Sequence, residues 1–286
     1  MQIVTDSGMD LAPEQSAGLP IHSVPLILTL DGRSYRSGVE IQPQEFYALL
    51  AASENFPTTS QPSPGDFAEL YQKVAATDPD ILSIHISSGL SGTLNAAKLG
   101  AQMVPEANVT FYDSKTLSGA LGWHVEAAGR AINAGWDRDR ILELLAQVSR
   151  VTDTLYTLAT LKYLIHGGRI SHLRGLIGSL LDIKPIIGVE KQGGTYVQQG
   201  TTRSLNRAIP SLADHIAKQY PAGSSLRVQI LHGHNAEGAE QLRERLDSMF
   251  DCHWLPTGPI APVLGAHTGP GLVGVVYAPA DAYPAI

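Results

Sequence analysis

Ser91, the Thr58-Thr59-Ser60 run and His267 are the residues of this chain whose types and settings could do chemistry. Ser91 lies in "ISSGLSGTLNAAK", residues 86–98, which leaves an apolar segment, passes through four small residues and turns into a helical pattern. Three roles fit it. As a nucleophile it would sit on an elbow of the G-x-S-x-G kind, with His267 downstream as base, but the last glycine of that pattern is Thr93 here. As an anion clamp it would add its hydroxyl to the free N–H groups and positive dipole at the start of a helix. As a helix cap it would contribute about 1 kcal/mol and nothing more. The two familiar nucleotide loops are absent: Lys98 comes too late for a P-loop, and no G-x-G-x-x-G follows a strand.

The second hydroxyl cluster precedes a helical pattern and is flanked by Pro57 and Pro62, which stiffen the loop. His267, inside "AHTGPG" at 266–271, adds a group that can donate to a carboxylate near neutral pH. Two hydroxyls, helix-end amides and an imidazole suit a carboxylate and make a poor metal site. His232 and His234 form an H-x-H without a carboxylate or cysteine at ligand spacing, so no metal is expected there either. Asp6-Ser7 and Asp113-Ser114 recur at strand ends, where Asx turns account for them better than catalysis does.

The elements that must position these residues alternate strand and helix in the first half. "QIVTDS", "DILSIHIS" and "NVTFYDS" read as strands, and "HSVPLILTLDGRSYRSG" as a hairpin turning at Asp31-Gly32. Helical spacing runs through "QPQEFYALLAA", "PGDFAELYQKVAA", "GTLNAAKLGAQMV" and the stretches 117–133 and 137–148. That rhythm implies a largely parallel sheet covered on both faces, with ligands outside the carboxyl ends of its strands. The four loops at 5–8, 57–65, 87–93 and 266–271, rich in hydroxyls, glycine and proline, are therefore the places to look. The second half reads as strands at 153–161, 183–190, 195–200, 225–233, 252–256 and 271–277, with helices at about 204–219 and 236–249. This predicts an α/β fold of two α/β domains, residues 1–155 and 156–286.

Composition bounds the function. The chain has 286 residues, 43% hydrophobic and 16% charged, as in a globular protein with a substantial core, and no apolar run long enough to span a membrane. A single cysteine, Cys252, and a start without a basic and apolar leader point to the cytoplasm. A net charge of −7 argues against nucleic acid as a partner. Residues 162–203 run against that trend: Lys162, Arg169, Arg174, Lys184, Lys191 and Arg203 face only Asp182 and Glu190. This basic island reads either as a solvated face or as a docking site for an anion or an acidic partner.

Seven blocks, "VTDSGMDL", "PTTSQPS", "SSGLSGTLNAA", "DSKTLSGALG", "LKYLIHGGRIS", "LLDIKPII" and "HTGPGLVGVVY", occur in an order and spacing that resemble the DegV family of bacterial fatty-acid-binding proteins over essentially the whole chain. The resemblance implies one long-chain fatty acid enclosed between the two domains, with no other cofactor. Its carboxylate would be held by the positions that match Thr59, Ser91 and His267, with Ser60, Gly92 and Thr268 beside them. It also implies, for some members, a separate kinase that phosphorylates the presented carboxylate for phospholipid synthesis. Arg169 and Arg203 match the family's basic residues near the carboxylate end and the kinase face, which would give the basic island a purpose. Thr58 and His166 stand where the family commonly has lysine, and both changes remove positive charge near the expected mouth. The expectation is a carrier and not an enzyme. A lipid-directed serine hydrolase using Ser91 and His267 is the alternative, and a binder of small phosphorylated metabolites at the Ser91 helix end is a third.

Overall fold

The computed structural model describes residues 1–171, 173 and 183–284. Arg174, one member of the basic island, and part of the "LLDIKPII" block lie outside the described residues. Among those described, the chain forms three sheets.

The first is a parallel sheet in the order β2-β1-β6-β7, from β1 (Gln2–Asp6), β2 (Ile21–Val24), β6 (Asp80–His85) and β7 (Asn108–Asp113). Its central strands are buried runs, Ile3 and Val4 in β1 and residues 81–85 in β6, as a sheet covered on both faces requires. One face carries α3 (Pro64–Ala75) and α4 (Thr93–Ala101) over Phe67, Tyr71 and Ala97. The other carries α5 (Ser118–Asn133) and α6 (Arg138–Val151) over Leu121, Val125 and Leu145. Asp137 caps α6 by accepting from the Arg140 N–H at 2.9 Å, and Ser63 caps α3 in a reciprocal box with Asp66.

A small antiparallel sheet, β4-β3-β5, is built from β3 (Ile27–Leu30), β4 (Arg33–Arg36) and β5 (Thr58–Ser60), with α1 (Pro13–Ser16) and α2 (Pro43–Ala52) nearby in the chain. Its hairpin turns at Asp31 (φ 51°) and Gly32 (φ 75°), both left-handed, the signature of a type I′ turn. Residues 22–24, read in sequence as part of this hairpin, instead belong to β2 in the parallel sheet, because Pro25 interrupts the run.

The second half builds a seven-stranded mixed sheet, β10-β9-β8-β14-β11-β12 with β13 beside β11. Its strands are β8 (Asp153–Thr157), β9 (Lys184–Val189), β10 (Tyr196–Thr202), β11 (Ser225–His232), β12 (Asp251–Trp254), β13 (Gly258–Pro259) and β14 (Val273–Pro279). Helices α8 (Leu205–Ile216) and α9 (Ala236–Asp247) bury Leu212, Ile216 and Leu242 on one face. The short helices α7 (Lys162–His166) and α10 (Pro262–Thr268) complete it. β8 belongs whole to this sheet, so we propose the division between the halves at the α6–β8 junction and not inside β8 at residue 155.

One core crosses the seam. Leu117 and Leu121 from α5 pack in the same cluster as Tyr156, Ile187, Leu231 and Leu264. A buried ionic knot reinforces it: Glu126 accepts from Arg130 (2.7 Å), from Arg227 of β11 (2.9 Å) and from Gln15 (3.0 Å). The Arg227 guanidinium also lies over the Tyr283 ring at 4.4 Å.

Candidate functional site

The site grows from two short elements. β5 pairs with β3 so that Thr59 stands opposite Leu28, which is fully buried; strand alternation therefore turns Thr59 inward and leaves Thr58 and Ser60 exposed on the other face. α10 begins with Pro262 at its first turn and packs against α2, α7, β3 and β5. Its last turn brings His267 onto β5, where Nε2 and Thr59 Oγ1 are joined by a hydrogen bond of 2.6 Å across 208 residues of sequence.

His267 is half-buried. Burial pushes its imidazole down to about 4, and the Arg169 guanidinium adds to the lowering, so it is neutral at pH 7. Nδ1 is buried without a partner among the described residues and lies against Gly167, where a side-chain Cβ would be 2.1 Å from it. An unpaired acceptor costs less than an unpaired N–H, which favours the tautomer with its proton on Nε2. That proton is donated to Thr59 Oγ1, and the threonine O–H is left to donate outward. Arg169, half-buried and donating to the Gly167 carbonyl at 2.8 Å, supplies the cation.

Ser91, just before α4, forms no hydrogen bond with Thr59 or His267 among the described residues. Its hydroxyl pairs with Thr93 Oγ1 at 2.8 Å, while the N-cap of α4 is Gly92, so the capping expectation for Ser91 is corrected by one residue. The Thr93 N–H donates to Ser91 Oγ at 3.4 Å, so Ser91 accepts from the first amide of α4 without being its N-cap. Gln61 ties this corner to β5: its amide lies where a Cβ on Gly92 would be, 2.2 Å from Oε1. The other small residues of the block serve the seam. Gly89 packs on the β9–β10 turn, where a Cβ would meet the Gly193 carbonyl oxygen at 2.4 Å, and Ser87 donates to the Gly194 carbonyl at 2.8 Å.

Behind α10 lies a narrow apolar cavity of about 40 Å³ between the seven-stranded sheet and the start of α5. Leu117, Tyr156, Tyr196, Leu264, Leu272 and Val276 line it, and Thr268 reaches it while spending its hydroxyl on the Leu264 carbonyl at 3.1 Å. A wider cleft of about 650 Å³ lies between Met9, Pro43, Gln229 and Pro259 and shares Leu231 with the cavity. Asp10 lines that cleft and holds the N-cap of α10, accepting from the Ala261 N–H at 2.8 Å and the Ser118 hydroxyl at 2.5 Å. Burial outweighs both bonds and pushes its carboxyl up to about 7.

A family profile described as an uncharacterised protein of the DegV family matches residues 1–280. The chain belongs to the DegV family. A DegV domain-containing protein of Deinococcus radiodurans is 36% identical over 277 residues, 97% of this chain and 95% of the relative. Two solved DegV-like structures are similar throughout. One, a Thermus thermophilus DegV family protein described by its fatty acid binding, has a TM-score of 0.88 at 30% identity, covering 97% of this chain and 99% of that one. The other, a Thermotoga maritima protein described as revealing a fatty acid binding function, has a TM-score of 0.85 at 28% identity over 97% and 98%.

Within this DegV fold the catalytic alternatives lack their geometry. Among the described residues Ser91 and His267 do not pair, and no carboxylate orients His267 Nδ1. A serine–histidine–aspartate line does exist: Asp6 Oδ2 to His85 Nδ1 at 2.9 Å, and His85 Nε2 to Ser83 Oγ at 2.7 Å. It ends on Tyr71 and all three residues are fully buried, so no substrate reaches it. Asp6 also closes a turn on the Gly8 N–H, and Asp113 does the same with Lys115. His232 accepts from the Asn235 N–H and His234 stacks on Tyr47, and among the described residues no three metal-ligating side chains converge. Of the basic island, Lys191 is engaged with Asp153 at 3.1 Å, whereas Lys162 and Arg203 are exposed. No helix among the described residues is long and apolar enough to cross a membrane.

Sequence reasoning missed Gln61, Gly167 and Asp10. The first two sit in the "PTTSQPS" and "LKYLIHGGRIS" blocks, so position alone could have flagged them; Asp10 had no signal beyond its place in "VTDSGMDL".

Proposed function

We propose that this protein binds one long-chain fatty acid between its halves, with the carboxylate at Thr59, Ser91 and His267 and the chain in the apolar cavity. The observation that carries the reading is the double exposure of α10: Leu264 and Thr268 line the cavity while His267, on the same helix, meets Thr59. Each methylene buried contributes about 0.8 kcal/mol, so sixteen to eighteen carbons supply roughly 10 kcal/mol gross. Side chains around the cavity must part to admit the chain, and that reorganisation subtracts from the total. The carboxylate exchanges its water shell for the Thr59 and Ser91 hydroxyls, the first-turn amides of α4 and the Arg169 charge. Fatty acid binding by the Thermus and Thermotoga proteins supports the assignment.

The role we propose is carriage, with the bound acid presented to a kinase that forms the acyl phosphate. Arg169 beside the clamp and the exposed Arg203 are suited to that encounter. Mass spectrometry of an organic extract from purified protein tests the first claim: a stoichiometric long-chain fatty acid in wild type, reduced in Ser91→Ala, is expected. Absence of lipid even after incubation with oleate or palmitate would overturn it. Arg203→Ala should keep the acid and slow acyl-phosphate formation by an added fatty acid kinase; an unchanged rate would remove the docking role.

A further inference from the structure

The wall of the cavity is not uniformly apolar. Thr154 Oγ1 and Tyr156 OH, both on β8, are buried and have no well-aligned hydrogen-bond partner among the described residues. Both residues line the cavity, and strand alternation puts them on one side while Leu155 enters the opposite core with Leu212 and Ile230. The Tyr156 ring meets Tyr196 edge-on at 5.7 Å between centroids, and the two hydroxyls lie close together but out of normal hydrogen-bond alignment, so Thr154 is the fully unpaired group of the wall. A buried hydroxyl left unpaired forgoes its exchange with water and gains nothing in return. Valine and phenylalanine would fill the same volumes without that penalty, and a plain hydrocarbon tail would gain from the change.

The position of Thr154 decides which part of a ligand it meets. It stands opposite Val276 on β14, four residues beyond Leu272, or about 13 Å along the strand from the end where Thr268 and His267 lie. That is the middle or far part of an acyl chain and not its carboxylate. Thr154 also walls a second, polar chamber of about 220 Å³, in which Thr152 Oγ1 is likewise buried and unpaired, and where Tyr112, Ser149 and His124 are bonded in series at 2.9 and 2.8 Å.

We propose that the preferred ligand is a long-chain fatty acid oxygenated in the middle or distal part of its chain, a hydroxy or oxo acid whose oxygen pairs with the wall hydroxyls of β8. The proposal rests on the fatty-acid reading above and adds the substrate class. A chain hydroxyl can donate to one wall oxygen and accept from the other, whereas an oxo group only accepts.

The test is calorimetric titration of delipidated full-length protein with octadecanoic acid and with octadecanoic acids monohydroxylated at successive carbons through the middle and distal chain. At least one hydroxy acid should bind about tenfold more tightly than octadecanoic acid, the worth of one recovered buried hydrogen bond. In the double variant Thr154→Val with Tyr156→Phe, the hydroxy acids should bind no more tightly than octadecanoic acid does to that same variant, and thermal melting should show it folded. Equal or weaker binding of every hydroxy acid, or an advantage that survives the double variant, overturns the proposal. Failure to bind any of the acids overturns the fatty-acid reading itself, so the two failures are distinct.

Discussion

Gly167 and Gly168 are adjacent, yet alanine at the two positions should act in opposite ways. A Cβ on Gly167 would lie 2.1 Å from His267 Nδ1 and 2.8 Å from Cε1. Ordinary contact is about 3.5 Å, so the imidazole must retreat by more than about 1 Å. The 2.6 Å bond to Thr59 on the far edge of the ring leaves no slack for that movement, so the imidazole must turn out of the bond. The backbone itself accepts alanine, because Gly167 has φ −73° and ψ −2°. Losing one hydrogen bond to a charged ligand group costs about 1.5–3 kcal/mol, a weakening of roughly 10- to 150-fold. Gly168, by contrast, has φ +73° and open space where its Cβ would go. Gly168→Ala should cost about 1 kcal/mol of stability through strain and leave affinity alone. Titration with oleate and thermal melting of both variants separate the effects. Affinity of Gly167→Ala within twofold of wild type would refute the argument that Gly167 makes room for a working imidazole.

Two further outcomes follow from buried charge. The Asp10 carboxyl is raised to about 7 by burial, above its unfolded value near 4, so the native protein holds a proton that the unfolded chain releases between those values. On its own this makes stability fall as pH rises from about 4 to about 7, whereas His267 and His124, both held down at about 4 by burial, make it rise over the same range; Asp10→Asn should therefore steepen the rise seen in urea melts at successive pH values, and an unchanged slope counts against the reading. Glu126→Ala strips the partner from Arg227 at the seam and should destabilise the protein by about 3–5 kcal/mol in chemical denaturation. A loss under 1 kcal/mol would mean that solvent, not Glu126, neutralises the arginine.

Long elements were legible in the sequence because their periodicity is long. The parallel strands β1, β6 and β7, the type I′ turn at Asp31-Gly32 and the helices from α2 to α6 stand where spacing places them. β5 and α10 were not legible: "TTS" is too short to alternate, and "PVLGAHT" is too short and too rich in small residues to show a helical stripe. Both were read as loops, yet they carry Thr59 and His267. Residue chemistry picked out those two side chains before any element explained their meeting. Ser91 was singled out with equal force but pairs with Thr93, because contact between its loop and β5 runs through Gln61. Asp10 was invisible since its partners, Ser118 and the Ala261 N–H, come from distant segments.

The bond between Thr59 and His267 joins the two ends of the chain, and this makes the proposed ligand a fastener as well as a cargo. α10 packs on α7 of its own half and on β3, β5 and α2 of the other, so neither half alone owns the grip. A molecule that binds only the joined form stabilises it by RT ln(1 + [L]/Kd), so the joined state tightens as the supply of ligand grows. A loaded molecule is then harder to pry apart and to digest than an empty one. Lipid abundance would thus be written into the lifetime of the protein itself, without any separate sensor.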